Sequence, residues 1–274
     1  ASVMMRRSAF RAGAAIADFL ERSLWKIRIQ QRPDKIILIR HGECLGNVDQ
    51  TAYSRVADHA QPLTARGETQ AFAAGQALRK IVGDGTVLCW VSPYTRTIQT
   101  LNGVLQGGEF RKIVVREDPR LREQEFGNFQ DVEAMKLAQI DRERYGRFWY
   151  RFTNGESGAD VYDRVSEFME RLFRAFETGT RCDYNLIVTH GLTMRLFCMR
   201  YLNWSVQEFE EVWNPDNCEI WSLTKDERGL YSLETQLQVG LDGRDMPTRM
   251  RTPKEWPVRR TWHKTLQNHS RSEA

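Results

Sequence analysis

Three continuous apolar runs, KIILIR at 35–40, TVLCWVS at 86–92 and YNLIVT at 184–189, limit what this chain can fold into. A strand without polar alternation is buried on both faces, and such burial is found in sheets covered by helices on each side. The segments between the runs supply the helices. In PLTARGETQAFAAGQALRKI, apolar residues recur at three- and four-residue spacing after Thr64, a residue suited to cap a helix N-terminus. Pro93 stands ready for the first turn of a helix carrying Thr95 to Leu105, and GLTMRLFCMRYL starts directly from the third run. Alternation of the two periods predicts an α/β domain.

A short strand at Lys112–Val115 leads into the charged loop DPRLREQEFGNFQD. Helices are expected at Val132–Arg144 and Ala159–Phe176, the second opened by Ser157 and Asp160 at capping-box spacing. After a short helix at Val206–Val212, CEIWSL and LYSLET read as closing strands around a turn at Glu227–Gly229. These elements place one domain at 34–236, an N-terminal extension at 1–33 and a basic C-terminal tail at 237–274.

No apolar run approaches the roughly eighteen residues of a membrane span. The formal net charge is +4, and between Leu241 and Ala274 eight basic residues face four acidic ones, so the tail carries the excess. Without a nucleic-acid-binding module, such a tail reads as a solvated extension or an arm that docks on a protein partner. The five cysteines are odd in number and lack CxxC spacing, which points to free thiols in a reducing, intracellular compartment. Near the N-terminus, Arg6, Arg7 and Arg11 precede any acidic residue. That pattern suits an organellar transit segment and, equally, a helix packing on the domain or a partner. Cytoplasmic and mitochondrial or other organellar locations both stay open.

In open α/β sheets, ligands bind beyond the carboxyl ends of the strands. Arg40 and His41 stand at one such end, where Gly42 lets the chain turn unobstructed. His190 and Gly191 stand at another, and Arg96 falls in the first turn of the helix after the second run. A single strand-end histidine is more often a packed residue than a functional one. Two arginines and two histidines at three strand ends are a different matter. They make a compact positive pocket suited to a phosphoryl group, which arginine grips with paired, charge-assisted hydrogen bonds.

RHGE at Arg40–Glu43 with Asn47 beyond it, SPYTRTIQT, LREQEFGNFQ and THGLTMR follow one another in a familiar order. In these motifs the chain resembles the histidine phosphatase superfamily, also called the phosphoglycerate mutase-like family, over about Lys35 to Leu223. RHGECLGNVD and REQEFGNFQD are most similar to a eukaryotic phosphoglycerate mutase-like subgroup. The resemblance implies a three-layer α/β/α sandwich with a mostly parallel central sheet. It also implies roles. His41 would attack phosphorus and form a phosphohistidine, while Arg40, Arg96 and His190 hold the equatorial oxygens and Asn47 adds a donor at the edge. Glu123 matches the acid that protonates the leaving oxygen and then activates water, with Glu125 as the alternative two residues on. Glu43 reads as an orienting neighbour. No metal or organic cofactor is called for, because the arginines supply the positive charge.

Three features depart from the cofactor-dependent mutases. REQEFG stands for their NERxYG loop, Gly46 for the tryptophan that often precedes the asparagine, and Cys44 for a usual serine, a better donor. These departures favour a phosphomonoester hydrolase acting on a small phosphorylated substrate. Phosphoglycerate mutase-type transfer is one alternative, and a docked or scaffold subunit with little turnover is another. RERYGRFWYRFTNGES sets Arg142, Arg144, Arg147 and Arg151 among five aromatic residues. It is expected to be either an amphipathic helix with a solvated basic face or a lid reaching the substrate beyond its phosphate.

Overall fold

The computed structural model describes residues 29–127, 131–178, 181–239 and 249–251. Six strands form one sheet: β1 (Lys35–Arg40), β2 (Val87–Val91), β3 (Ile113–Glu117), β4 (Tyr184–Thr189), β5 (Ile220–Lys225) and β6 (Tyr231–Leu233). Their order is β3-β2-β4-β1-β5-β6, with the first four parallel and β5 and β6 added antiparallel at one side. A separate ribbon pairs β7 (Leu237–Val239) with β8 (Arg249–Arg251). Leu237 and Val239 are buried, so the packed chain continues past residue 236.

Seven helices are described: α1 (Leu45–Val48), α2 (Ala65–Val82), α3 (Thr95–Gly108), α4 (Val132–Tyr145), α5 (Gly158–Thr178), α6 (Gly191–Leu202) and α7 (Val206–Glu211). The pleat decides which of them covers which face. On β1, Ile37 and Ile39 pack with Leu78 and Val82 of α2 and Leu101 and Val104 of α3. Ile36 and Leu38 point the other way, toward Val165 and Phe168 of α5 and Leu192 and Leu196 of α6. Successive strand residues alternate between faces, so a run apolar at every position is what a sheet covered on both sides requires. Each such side chain contributes roughly 1.5–3 kcal/mol by leaving water. The expected three-layer α/β/α sandwich results.

Helix starts follow the predicted caps. Thr64 Oγ1 accepts from Gly67 N–H at 3.1 Å, and Ser157 and Asp160 bond reciprocally at the start of α5. β3 ends two residues later than its sequence suggests. It is the edge strand, where Val114 and Val115 stay exposed and the polar Arg116 and Glu117 are tolerated. All five cysteines are free, and four are buried. No described helix is long and apolar enough to cross a membrane. The transit-like N-terminus and most of the basic tail lie outside the described residues.

Candidate active site

Register brings the strand ends together. β1 and β4 are neighbours with Arg40 opposite Thr189, so His41 and His190 leave adjacent strands at one level. On the other side of β4, Val91 of β2 lies opposite Val188, which sets Ser92 beside Thr189 and His190. His41 N–H donates to Thr189 O at 2.9 Å, and Ser92 N–H to Val188 O at 3.1 Å. The two buried imidazoles meet edge to face with ring centroids 5.2 Å apart. Gly42 is required at the turn between them and α2: a Cβ there would lie 2.6 Å from the Gly67 carbonyl oxygen.

Bonds within the protein decide which nitrogens remain for a ligand. His41 Nδ1 lies 2.7 Å from Gly42 O. A carbonyl only accepts, so Nδ1 carries the hydrogen and Nε2 keeps its lone pair. Arg40 donates through an η nitrogen to Pro215 O at 2.7 Å. Arg96 donates to Asp58, reaching O at 2.6 Å and Oδ1 at 3.1 Å. The buried polar atoms without a hydrogen-bond partner among the described residues include Arg40 Nε, Arg96 Nε and His190 Nδ1. Each such atom costs about 1–3 kcal/mol, so three of them around His41 call for an acceptor-rich group. Asn47 is exposed at the edge. Its Oδ1 accepts from Cys44 N, Cys44 Sγ and Asn217 Nδ2, which leaves its own amide hydrogens as donors.

Burial, then the charges of Arg96 and Arg40, hold His41 well below the ordinary imidazole range. Burial, then Arg96 and His41, do the same to His190. Both rings are therefore neutral. Burial opposes the charge on Arg96, but Asp58 and other neighbouring acidic groups hold its pKa above the usual value. The Arg96 guanidinium also lies 4.8 Å from the Tyr94 ring centroid. Glu123 is raised above the ordinary carboxylate range by burial, against the Gln124 N–H it accepts at 3.0 Å and the charges of Arg96, Arg164 and Arg40.

The loop carrying Glu123 is fastened from behind. Arg164 of α5 donates to the carbonyls of Arg120 at 2.7 Å, Arg122 at 2.9 Å and Glu123 at 3.0 Å. The same guanidinium forks onto both carboxylate oxygens of Glu156, each at 3.0 Å. Glu156 in turn accepts from Glu125 N–H and pairs with Arg122. Thr189 and Thr193 hydroxyls donate to the Leu121 and Arg122 carbonyls, tying the loop to β4 and α6. The fastening separates the two candidate acids. Glu123 is half-buried within reach of the pocket's arginine charges, whereas Glu125 is exposed. Glu43 accepts from Thr64 Oγ1 at 2.8 Å and faces Arg66 at 3.5 Å, an anchoring role at the start of α2.

Gly46 has a local cause. A Cβ there would meet the ring and hydroxyl of Tyr53, so a larger residue at this position requires Tyr53 to move. Of the arginines after α4 begins, Arg142 turns inward, donating to Gln124 Oε1 at 3.0 Å beside the rings of Phe126 and Phe152. Arg151 pairs with Asp160 at 2.6 Å, and Arg147 lies over Trp213. Ser92, Asp58, Glu156 and Arg164 escaped the sequence reading. Arg164 did leave a signal: it sits in the buried stripe of Val161, Val165, Phe168 and Leu172, where a charge needs a partner. Asp58 and Ser92 left none, since their partners lie 38 and 98 residues away. Among the described residues no group of three or more His, Cys, Asp or Glu side chains is arranged to hold a metal ion.

Fold and pocket together define an α/β enzyme that handles phosphate esters. The family model of the histidine phosphatase superfamily (branch 1) matches residues 36–236, and the chain belongs to that superfamily. The phosphoglycerate mutase-like protein AT74H of Arabidopsis thaliana is 43% identical over 216 residues, covering 73% of this chain and 77% of its own. The broad-range acid phosphatase DET1 of Saccharomyces cerevisiae is 29% identical over 306 residues, covering 77% and 91%. Among solved structures, the α-ribazole phosphatase from Shigella flexneri matches with a TM-score of 0.57 and 25% identity over 78% of this chain and 99% of that one.

Proposed function

We propose that this chain hydrolyses phosphate monoesters through a phosphohistidine on His41. One observation carries the reading: Arg40 Nε, Arg96 Nε and His190 Nδ1 are buried and unbonded around a histidine whose Nε2 holds a free lone pair. A phosphoryl group supplies the acceptors these nitrogens need, and they stabilise charge as it spreads over its equatorial oxygens. His41 Nε2 attacks phosphorus as the bond to the leaving oxygen breaks. Glu123 gives its proton to that oxygen, and the alcohol departs. The resulting Glu123 carboxylate takes a proton from water, whose oxygen attacks phosphorus and breaks the N–P bond. Inorganic phosphate leaves with both residues restored. The acid phosphatase activity named for DET1 supports hydrolysis, as do the missing mutase loop pattern and the space Tyr53 takes beside Gly46.

The pH dependence follows from the two shifts. His41 must be neutral, and its lowered pKa keeps it so until well below the ordinary imidazole range, so activity falls only as acid protonates it. Glu123 must be protonated, and its raised pKa extends that state upward, so activity falls as pH rises through it. A bell-shaped kcat/KM with its maximum on the acid side is expected for an alkyl phosphate. A profile that keeps climbing through neutral pH would remove Glu123 as the acid. Glu123→Gln is expected to lower kcat by about 10²–10⁴-fold, while Glu125→Gln stays near wild type; the reverse result would exchange their roles. Return of the phosphoryl group to a second glycerate phosphate, assayed with a bisphosphoglycerate primer, would mark the mutase alternative.

A further inference from the structure

Ser92 Oγ and His190 Nε2 lie 2.8 Å apart, and neither residue has exposed surface. This contact decides something that the assignment of His190 to phosphate binding leaves open. A neutral imidazole has one N–H and one bare nitrogen. The groups facing His190 are His41 and Arg40 at the end of β1, Arg96 and Tyr94 around the start of α3, and Arg164 from α5. Those cations and the burial keep His190 neutral. Were its hydrogen on Nε2, the unbonded Nδ1 would meet a phosphoryl oxygen lone pair against lone pair.

The surroundings of Ser92 give the direction of the bond. Tyr94 N–H approaches the same Oγ at 3.5 Å, and Thr97 Oγ1 donates to the Ser92 carbonyl. Among the described hydrogen bonds, Nε2 of His190 is therefore the acceptor open to the Ser92 hydroxyl hydrogen. We propose that Ser92 is a positioning residue: by donating to Nε2 it fixes neutral His190 as the Nδ1–H tautomer, which makes the buried Nδ1 a donor to the transferring phosphoryl group. The inference rests on the phosphoryl-transfer reading of this site.

The two histidines then carry their hydrogen on the same ring atom and use it in opposite ways. His41 engages Nδ1–H with Gly42 O and offers bare Nε2 as nucleophile. His190 engages Nε2 with Ser92 and offers Nδ1–H as donor. With no lone pair toward phosphorus, His190 cannot compete as nucleophile, so the phosphoryl group goes to His41 alone. The parallel pairing of β2 and β4 places the serine for this task, since Ser92 follows Val91 on the strand next to the one that ends at His190.

Long-range ¹H–¹⁵N correlation spectra of ¹⁵N-histidine-labelled full-length protein read the tautomer directly, with the five histidines assigned by substitution. His190 is expected to show a protonated Nδ1 and a bare Nε2; an Nε2–H pattern in the wild type overturns the proposal. That readout needs no turnover, so failure of the hydrolase reading would show separately, as absent hydrolysis and absent phosphohistidine. Ser92→Ala is expected to lower kcat for an aryl phosphate about 10–100-fold and to move the optimum to lower pH. Imidazolium carries hydrogen on both nitrogens and donates without help from Ser92. Ser92→Thr, which keeps the hydroxyl, is expected to retain the wild-type tautomer and optimum. An equal loss at every pH with the tautomer unchanged in Ser92→Ala would reduce Ser92 to packing. Should the alanine variant not fold, the wild-type and threonine spectra still decide.

Discussion

Replacing His41 with alanine is expected to lower kcat for an aryl phosphate by on the order of 10⁴-fold or more. The acid-labile, alkali-stable phosphoenzyme should disappear with it. In the proposed mechanism His41 Nε2 is the nitrogen with a lone pair free for phosphorus, and Arg40, Arg96 and His190 are its donor neighbours. Deleting the imidazole therefore removes the attack and spares the cradle. Affinity for inorganic phosphate, measured calorimetrically, should survive or tighten, because these three neighbours keep their places. A variant that has lost turnover and binding together would point to a collapsed pocket. Equal hydrolysis by variant and wild type would favour the docked-subunit reading.

The second large effect falls on a residue outside the phosphate pocket. Arg164→Ala is expected to destabilise the protein by about 3–5 kcal/mol, the range for breaking one partner out of a buried ion pair. Arg164 satisfies the loop carbonyls of Arg120, Arg122 and Glu123 and both oxygens of Glu156. Its loss leaves the Glu156 carboxylate with Arg122 and the Glu125 N–H alone and frees the backbone of Glu123, so kcat should fall along with stability. Arg164→Lys should rescue little, since a single ammonium cannot span a carboxylate fork and three carbonyls. Removing Glu156 as well should recover part of the stability, because the pair couples. Denaturant unfolding of the two single variants and the double variant measures all of this. Additive losses would mean that Arg164 and Glu156 act separately.

These two residues mark the limits of what the sequence discloses. His41 was legible because its setting is local: an apolar strand, a turn glycine and a helix start occupy a dozen consecutive residues. The repetition at His190 and the arginine at Arg96 turned a common pattern into a specific one. The sandwich was legible for the same reason, since unbroken apolar runs admit few alternatives to burial on both faces. Arg164 looked like one more charge on an amphipathic helix. Its place in the buried stripe of α5 says that it needs a partner, and only the packing of α5 against the acid loop names that partner. Ser92 read as the last residue of a strand, and its meaning depends on which strand lies next to it, which the sequence order of β1, β2 and β4 does not state. Asp58 sits in a loop without pattern and acquires its role by meeting Arg96. The arginine- and aromatic-rich segment at 142–157 illustrates the converse. Composition marked Arg142, Arg144, Arg147 and Arg151 alike, whereas packing turns Arg142 toward the loop and pairs Arg151 with Asp160.

The three unbonded nitrogens have a consequence beyond catalysis. They are buried polar atoms left unmet beside the arginine charges, so an anion that meets them stabilises the folded chain. Inorganic phosphate, the product of the proposed reaction, is such an anion. At a hundred times its Kd a ligand of the folded state adds about 2.7 kcal/mol of stability. In the proposed reaction the product anion would thus both occupy the site and stabilise the folded chain. Phosphate-rich conditions would raise the standing amount of folded enzyme while lowering the flux through each copy, coupling abundance to activity through one small ion.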